Sequence, residues 1–263
     1  MSMTNLTRNN KSAQVSLVSC GRKKTVDLYS PEGLELLSRL WLKAYVQARL
    51  THDLSWMGIP IIQFPEDICM MQELIWKVRP DIIIECGVAH GGSLVFYASL
   101  LELLGRGQVI GVDVEIRHYN RVAITNHPMA PRITLIEGSS ISREVVARIK
   151  KRIRNAKKVM VVLDSNHSAK HVAQELKLYS ELVTPGSYLV AMDGAQGYVW
   201  DIPSGKAEWK RDNPLTAIEQ FLSRDKRFAA DDHYTRLKVT ANPKGFLRRL
   251  TREEMVAMKG RGK

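Results

Sequence analysis

The chain has 263 residues, 44% of them hydrophobic and 25% charged, with a formal net charge of +12. That length suits one large domain with an extension, and the composition is that of a soluble globular protein; no apolar run approaches the roughly 20 residues of a membrane span, and Met1 to Gln14 is too polar for the apolar core of a signal peptide. The three cysteines (Cys20, Cys69, Cys86) lack metal-ligand spacing and leave one unpaired in any disulfide scheme, so a reducing cytoplasm is expected.

Residues 1–28 open the chain as a basic segment expected to be flexible; residues 1–24 hold five Lys/Arg and no acid. Residues 29–80 form a helical extension. Ser30-Pro31 reads as a helix cap followed by a first-turn proline, and Leu34 to Arg49 carries apolar residues at helical spacing. Trp56-Met57-Gly58-Ile59-Pro60 breaks that pattern. Asp67 to Val78 is a second amphipathic helix, closed by Arg79-Pro80.

From residue 81 to 250 strands and helices alternate. Ile82 to Glu85 is a short buried strand, followed by Gly87, Gly91 and Gly92 and a helix from Leu94 to Leu104. Val109 to Asp113, Ile133 to Glu137, Val159 to Asp164 and Tyr188 to Met192 are further strands. Helices around Asn120–Asn126, Ser142–Arg154 and Ala169–Leu182 separate them, and Leu215–Ser223 follows an insertion from Asp193 to Asn213. Two late strands lie near Phe228–Asp231 and Gly245–Leu250. Such alternation predicts an α/β, Rossmann-like fold with a mostly parallel sheet and helices on both faces. Residues 251–263 form a basic tail. The segment 143–158, at net +7, reads as the solvated face of a helix.

Ligands of such sheets bind beyond the carboxyl ends of the strands, where Glu85, Asp113, Gly138-Ser139, Asp164 and Asp193 fall in a row. The glycines do not match the dinucleotide pattern Gly-x-Gly-x-x-Gly, and no phosphate-loop lysine is present. Glu85 beside the turn repels phosphate. S-adenosylmethionine fits better, since it carries a sulfonium and an ammonium, keeps a ribose for Asp113 and has no phosphate. Asp164 and Asp193 are candidate ligands for Mg²⁺. His167, one turn beyond Asp164, is the candidate general base toward an acceptor hydroxyl. Tyr198 and Trp200, in the aromatic insertion, are candidates for stacking on the acceptor.

Several short motifs, in order, carry a resemblance. They are Trp56-Met57-Gly58-Ile59-Pro60 with Gln63 and Pro65, Glu85-Cys86-Gly87 with Gly91-Gly92-Ser93, and Gly111-Val112-Asp113. Glu137-Gly138-Ser139-Ser140, Asp164-Ser165-Asn166-His167-Ser168 and Asn242-Pro243-Lys244-Gly245-Phe246 complete the set. Across residues 30–250 the chain resembles the cephalosporin hydroxylase-like, or rhamnosyl O-methyltransferase-like, group of class I methyltransferases. The resemblance implies a seven-stranded sheet with one antiparallel strand and a cofactor lying over Gly87, His90, Gly91 and Ser93. It places the ribose on Asp113 and the adenine near Gly138 and Ser139. It further implies divalent-metal help, a small-molecule acceptor such as an antibiotic sugar, and a homo-oligomer without membrane contact. Relatives often carry an acidic pair where this chain has Met192-Asp193, so Gln196 or Asp201 is a candidate replacement ligand. Oxygenation by iron would need a second histidine at a strand end, and none is evident. The alternative suggested by the charge is an RNA-directed methyltransferase or RNA-binding protein.

Overall fold

The chain, seen in a computed structural model that describes residues 4–9, 12–19 and 22–260, begins with three antiparallel strands, β1 (Thr4–Asn9), β2 (Ser12–Ser19) and β3 (Arg22–Asp27). The flexible segment expected over residues 1–28 is therefore a small sheet in its described part; Cys20 lies outside the described residues. Its polar composition hid a period-2 pattern. Ala13 and Val15 are buried while Gln14 between them is exposed, and the Ser16 and Thr25 hydroxyls meet across the ladder at 2.7 Å. A two-faced antiparallel sheet needs only one apolar face.

Helix α1 (Pro31–Gln47) follows, capped by Ser30 Oγ, which accepts from the Gly33 amide at 3.0 Å. The two-residue strands β4 (Ser55–Trp56) and β5 (Ile59–Pro60) make a hairpin around Met57-Gly58, and α2 (Pro65–Val78) runs into the main sheet. Arg79 ends α2 in the left-handed region (φ 51°), just before Pro80.

The central sheet takes β6 (Ile82–Cys86), β7 (Gln108–Asp113), β8 (Ile133–Glu137), β9 (Val159–Leu163), β10 (Tyr188–Ala191), β11 (Phe228–Ala230) and β12 (Phe246–Arg249). Its spatial order is β11-β12-β10-β9-β6-β7-β8, and only β12 runs against the others. This is the mostly parallel sheet that the strand-helix alternation predicts, with the seven strands and the one antiparallel strand that the family resemblance implies. Helices α3 (Gly92–Leu103), α4 (His118–Thr125), α5 (Arg143–Ile153), α6 (Ala169–Tyr179) and α7 (Pro214–Arg224) make the crossovers. The tail expected at 251–263 forms helix α8 (Arg252–Gly260) over its described residues.

Successive strand residues feed opposite faces. Ile83, Val109, Val162 and Val190 pack with α2 and α3, whereas Ile84, Ile110, Val161 and Leu189 pack with α5, α6 and α7. Strands buried on both sides read as unbroken apolar runs, which is why they were visible in the sequence. In α5, Val145, Val146 and Ile149 face the core, and the run of basic residues belongs to its solvated side, as expected.

Parallel register aligns the carboxyl ends. Cys86 pairs with Val112 and Leu163, and Ala191 also pairs with Leu163. The chain order reverses between β6 and β9, with β7 and β8 to one side and β10 to the other. Sheets of this kind open a crevice at such a switch point.

Candidate active site

On the β6 side, the glycine turn folds against β9. Gly87 has φ +101°, and a Cβ there would lie 1.9 Å from the Asp164 carbonyl oxygen, so only glycine fits. A Cβ on Gly92 would lie 2.2 Å from the Pro60 carbonyl oxygen; its absence lets the hairpin rest on the amino end of α3. Asp113 secures the turn from β7, its Oδ2 accepting from the Val88 amide at 2.8 Å. Between hairpin and turn lies a narrow cavity of about 40 Å³, lined by Pro60 to Gln63, Gly87 to Ser93 and Asp164. His90, Gly91 and Ser93 are among its lining residues. Gly138 and Ser139 stand at the end of β8, where the Gly138 amide donates to the Asp113 carbonyl at 2.8 Å.

Glu85 departs from the picture of an open strand-end acid. It is fully buried, and its Oε2 accepts from Ser93 Oγ at 2.7 Å. Burial pushes its carboxyl well above the usual range, and the charge of Asp164 adds to this.

Across Asp164 lies a second cavity, of about 210 Å³. Asp164, His167 and Asp193 converge at its floor, each offering one ligand atom within 4.8 Å of the others. His167 Nδ1 is 3.2 Å from Asp193 Oδ2. Burial, reinforced by the Asp193 charge and opposed by His167, raises the Asp164 carboxyl to about 7. Burial disfavours the His167 cation, but the Asp193 and Asp164 carboxylates outweigh it and hold the imidazole above its ordinary pKa. Two carboxylates and an imidazole at this separation suit a divalent cation that accepts oxygen and nitrogen donors.

Asp193 reaches the cluster from a left-handed backbone (φ 58°), which is strained for a residue other than glycine. A chain of hydrogen bonds holds it there. Asn242 Oδ1 accepts from the Asp193 amide at 3.0 Å, and the Asn242 amide donates to Thr240 Oγ1 at 2.9 Å. The buried Asp67 of α2 accepts from Thr240 Oγ1 at 2.5 Å and from the Ala241 amide at 2.8 Å. Burial raises Asp67 to about 7 despite these bonds.

The walls of this cavity differ from expectation. Tyr198 and Trp200 do not line it. They border a groove beside α1, where Arg39 lies over the Tyr198 ring and Lys210 over the Trp200 ring. The turn Gly194–Tyr198 points the intervening Val199 inward instead, buried at 4% exposure. Leu42 and Val46 of α1, Ile62, Phe64, Val199, Trp209 and Ala241 form the apolar walls. Leu42 and Val46 were visible only as part of an amphipathic helix with no known partner. Neither replacement ligand joins the cluster. Gln196, with its amide oriented to satisfy both ends, donates to the His167 carbonyl at 3.2 Å and accepts from Trp209 Nε1 at 3.0 Å. Asp201 pairs with Lys43 at 2.6 Å. Met192 is buried in the core at the cavity edge. In the sequence Gln63 and Asn242 stand only as motif residues, and nothing there marks Asp67 for a role.

Among the described residues, no helix is long and apolar enough to cross a membrane. By fold the chain is similar to an apo structure of CmcI, with a TM-score of 0.54 at 20% identity over 76% of this chain and 77% of that one. It is similar also to a CmcI structure with Mg-SAM, at 0.52 and 19% over 76% and 78%. By sequence it is 33% identical over 142 residues to the rhamnosyl O-methyltransferase of Mycobacterium leprae (strain TN), and 30% identical to that of Mycobacterium bovis (strain BCG / Pasteur 1173P2). Those matches cover 53% of this chain and 59% and 56% of the relatives, so the chain spans little more than half the length of the curated proteins it matches. The family model described as Rhamnosyl O-methyltransferase/CmcI matches residues 48–250, a span that holds the whole lining of the smaller cavity and all three residues of the cluster, and the chain belongs to that family.

Proposed function

We propose that the protein is an S-adenosylmethionine-dependent O-methyltransferase acting on a hydroxyl of a small molecule, such as a sugar or another secondary metabolite. The observation that carries this is the convergence of Asp164, His167 and Asp193 on the larger, apolar cavity, with Asp164 also lining the glycine-lined one beside it. The first cavity takes the methyl donor, with Asp113 directed to the ribose, the Gly138–Ser139 turn to the adenine, and Gly87 to Ser93 beneath the reactive end. The second takes the acceptor, its apolar walls excluding water from the transfer.

In this scheme Asp193, whose Oδ2 lies 3.2 Å from His167 Nδ1, orients the imidazole and leaves Nε2 free to accept a proton. The acceptor hydroxyl gives its proton to Nε2 while its oxygen attacks the methyl carbon. S-adenosylmethionine, when bound, would supply an electrophilic methyl group on a sulfonium whose carbon–sulfur bond gives way to leave a neutral thioether. Asp164 and Asp193 would hold a divalent cation such as Mg²⁺, which lowers the pKa of a bound hydroxyl.

Calorimetric titration of the full chain with S-adenosylmethionine tests the donor, and transfer of a labelled methyl group to a panel of hydroxylated acceptors, with and without chelator, tests the reaction. Binding in the micromolar to millimolar range is expected; no heat at millimolar cofactor would remove the proposal. Self-association, implied by the family resemblance, is read by light scattering. The RNA-directed alternative rests on charge alone and predicts binding that weakens steeply with salt.

A further inference from the structure

A hydroxyl taken out of water must find a new partner, so the polar groups that a cavity leaves free set how many hydroxyls its occupant can bring. In the larger cavity the polar side chains outside the Asp164–His167–Asp193 cluster are already engaged or out of reach. Asp67 is 1% exposed, and its two oxygens accept from Thr240 Oγ1 and from the Ala241 amide. Gln196 uses one end of its amide on the His167 carbonyl and the other on Trp209 Nε1, which occupies the single donor of that indole as well. Both amide atoms of Gln63 are buried. Thr51 Oγ1 lies 3.2 Å from His52 Nδ1, and His52 is exposed, so this pair belongs to the mouth of the cavity and not to its depth.

The rest of the wall is apolar. Leu42, Phe64, Val199 and Ala241 are each at most 9% exposed and pack with one another in a small core of their own. The space beside them, about 210 Å³, has the size of one ring; a dry apolar cavity of about 150 Å³ already takes benzene. The cluster supplies hydrogen-bonding atoms from a single place, its three ligand atoms lying within 4.8 Å of one another. A ring seated here meets polar groups along one edge and hydrocarbon elsewhere. A sugar ring carries hydroxyls on successive carbons all round and would strand those on its far side, each at about a tenfold loss of affinity. A ring whose oxygens sit on one or two adjacent carbons would strand none.

We infer that the ring presenting the acceptor hydroxyl is apolar apart from the edge that meets Asp164, His167 and Asp193, as in a phenol or a simple ring alcohol, and is not a sugar ring. This rests on the methyltransferase proposal above and narrows its acceptor class. Val46 and Val199 set the selectivity on the apolar side, because a wall of methyl groups offers a hydroxyl nothing in exchange for water.

The test uses two probes built on the same six-carbon ring: cyclohexane-1,2-diol, with two adjacent hydroxyls, and myo-inositol, with a hydroxyl on every carbon. Binding to the full chain is measured by ligand-observed NMR titration, with Mg²⁺ and S-adenosylhomocysteine present. The diol should bind in the millimolar range and at least about a hundredfold tighter than inositol, the effect of two or more stranded hydroxyls. Catechol, the aromatic equivalent, should follow the diol. Val46→Thr and Val199→Thr keep the side-chain shape and add one hydroxyl, so each should cut the diol-to-inositol ratio by about threefold or more. A variant that merely loosens the fold would weaken both probes together and leave the ratio alone. Inositol binding as tightly as the diol would overturn the inference, and so would binding of neither probe at tens of millimolar. An unchanged ratio in both valine variants would remove the selectivity from this wall. Absence of S-adenosylhomocysteine binding in the wild type, with the diol still bound, would instead defeat the methyltransferase proposal and leave a ring-binding cavity.

Discussion

The two cavities that meet at Asp164 are built in different ways. The one over the glycine turn comes mainly from a single stretch, Gly87 to Ser93, with Pro60 to Gln63 laid across it. Its shape depends on what is missing, the Cβ atoms of Gly87 and Gly92. The larger one is assembled from α1, the start of α2, the ends of β9 and β10, the insertion after β10 and the loop before β12. Its polar residues are held by long-range hydrogen bonds such as Asp67–Thr240 and Asn242–Asp193. A site formed locally by backbone is robust and generic. One gathered from six places can vary in each of them without disturbing the sheet, which is how one fold accommodates many acceptors.

Substitutions can break this division or sharpen it. The largest effect is expected for Gly87→Ala. Positive φ together with a clash against the Asp164 backbone should cost roughly 3 to 5 kcal/mol of stability, read by denaturant unfolding, and should damage both cavities because the turn and Asp164 touch. A loss under 1 kcal/mol would show that the turn can relax.

Asp67→Asn probes the larger cavity through pH. The native carboxyl, at about 7, lies above the roughly 3.9 of an unfolded aspartate, so the native state holds the extra proton in between. Stability from this group is complete below about pH 4 and is lost as pH rises toward about 7. The asparagine variant should lack that slope and gain on wild type by roughly 2 to 4 kcal/mol between pH 4 and pH 8. Parallel stability curves for the two proteins would place the Asp67 proton elsewhere.

His167→Ala should slow methyl transfer by about 10² or more while leaving S-adenosylhomocysteine affinity within about twofold. Equal losses in turnover and cofactor affinity would mean that the cavities do not act separately. Asp113→Ala should do the converse and weaken cofactor binding by about 1 to 3 kcal/mol. Metal affinity, measured by titration with Mn²⁺, should stay unchanged in that variant.

The contrast also explains what could be read in advance. The strand ends at Asp113, Asp164 and Asp193, the glycine turn and His167 were legible because each follows an apolar run too short and too continuous to be anything but a buried strand. Parallel register then brings such ends into one line. Tyr198 and Trp200 misled because an aromatic, turn-rich insertion says that side chains will pack and not in which direction. The turn there turned Val199 inward and its neighbours out. The small amino-terminal sheet was missed because its alternation is short and few of its residues are apolar.

The order of polar and apolar residues along this chain was enough to specify the strands, the crossovers and the glycine turn, since those depend on backbone geometry and on a period of two or 3.6 residues. Contacts across more than 100 residues decided the rest. The burial of Asp67 near Asp193, the entry of Leu42 into the wall of the larger cavity and the inward turn of Val199 depend on which surfaces meet when helices dock on the sheet. Periodicity shows that a face is apolar, and the partner of that face is set by packing in three dimensions.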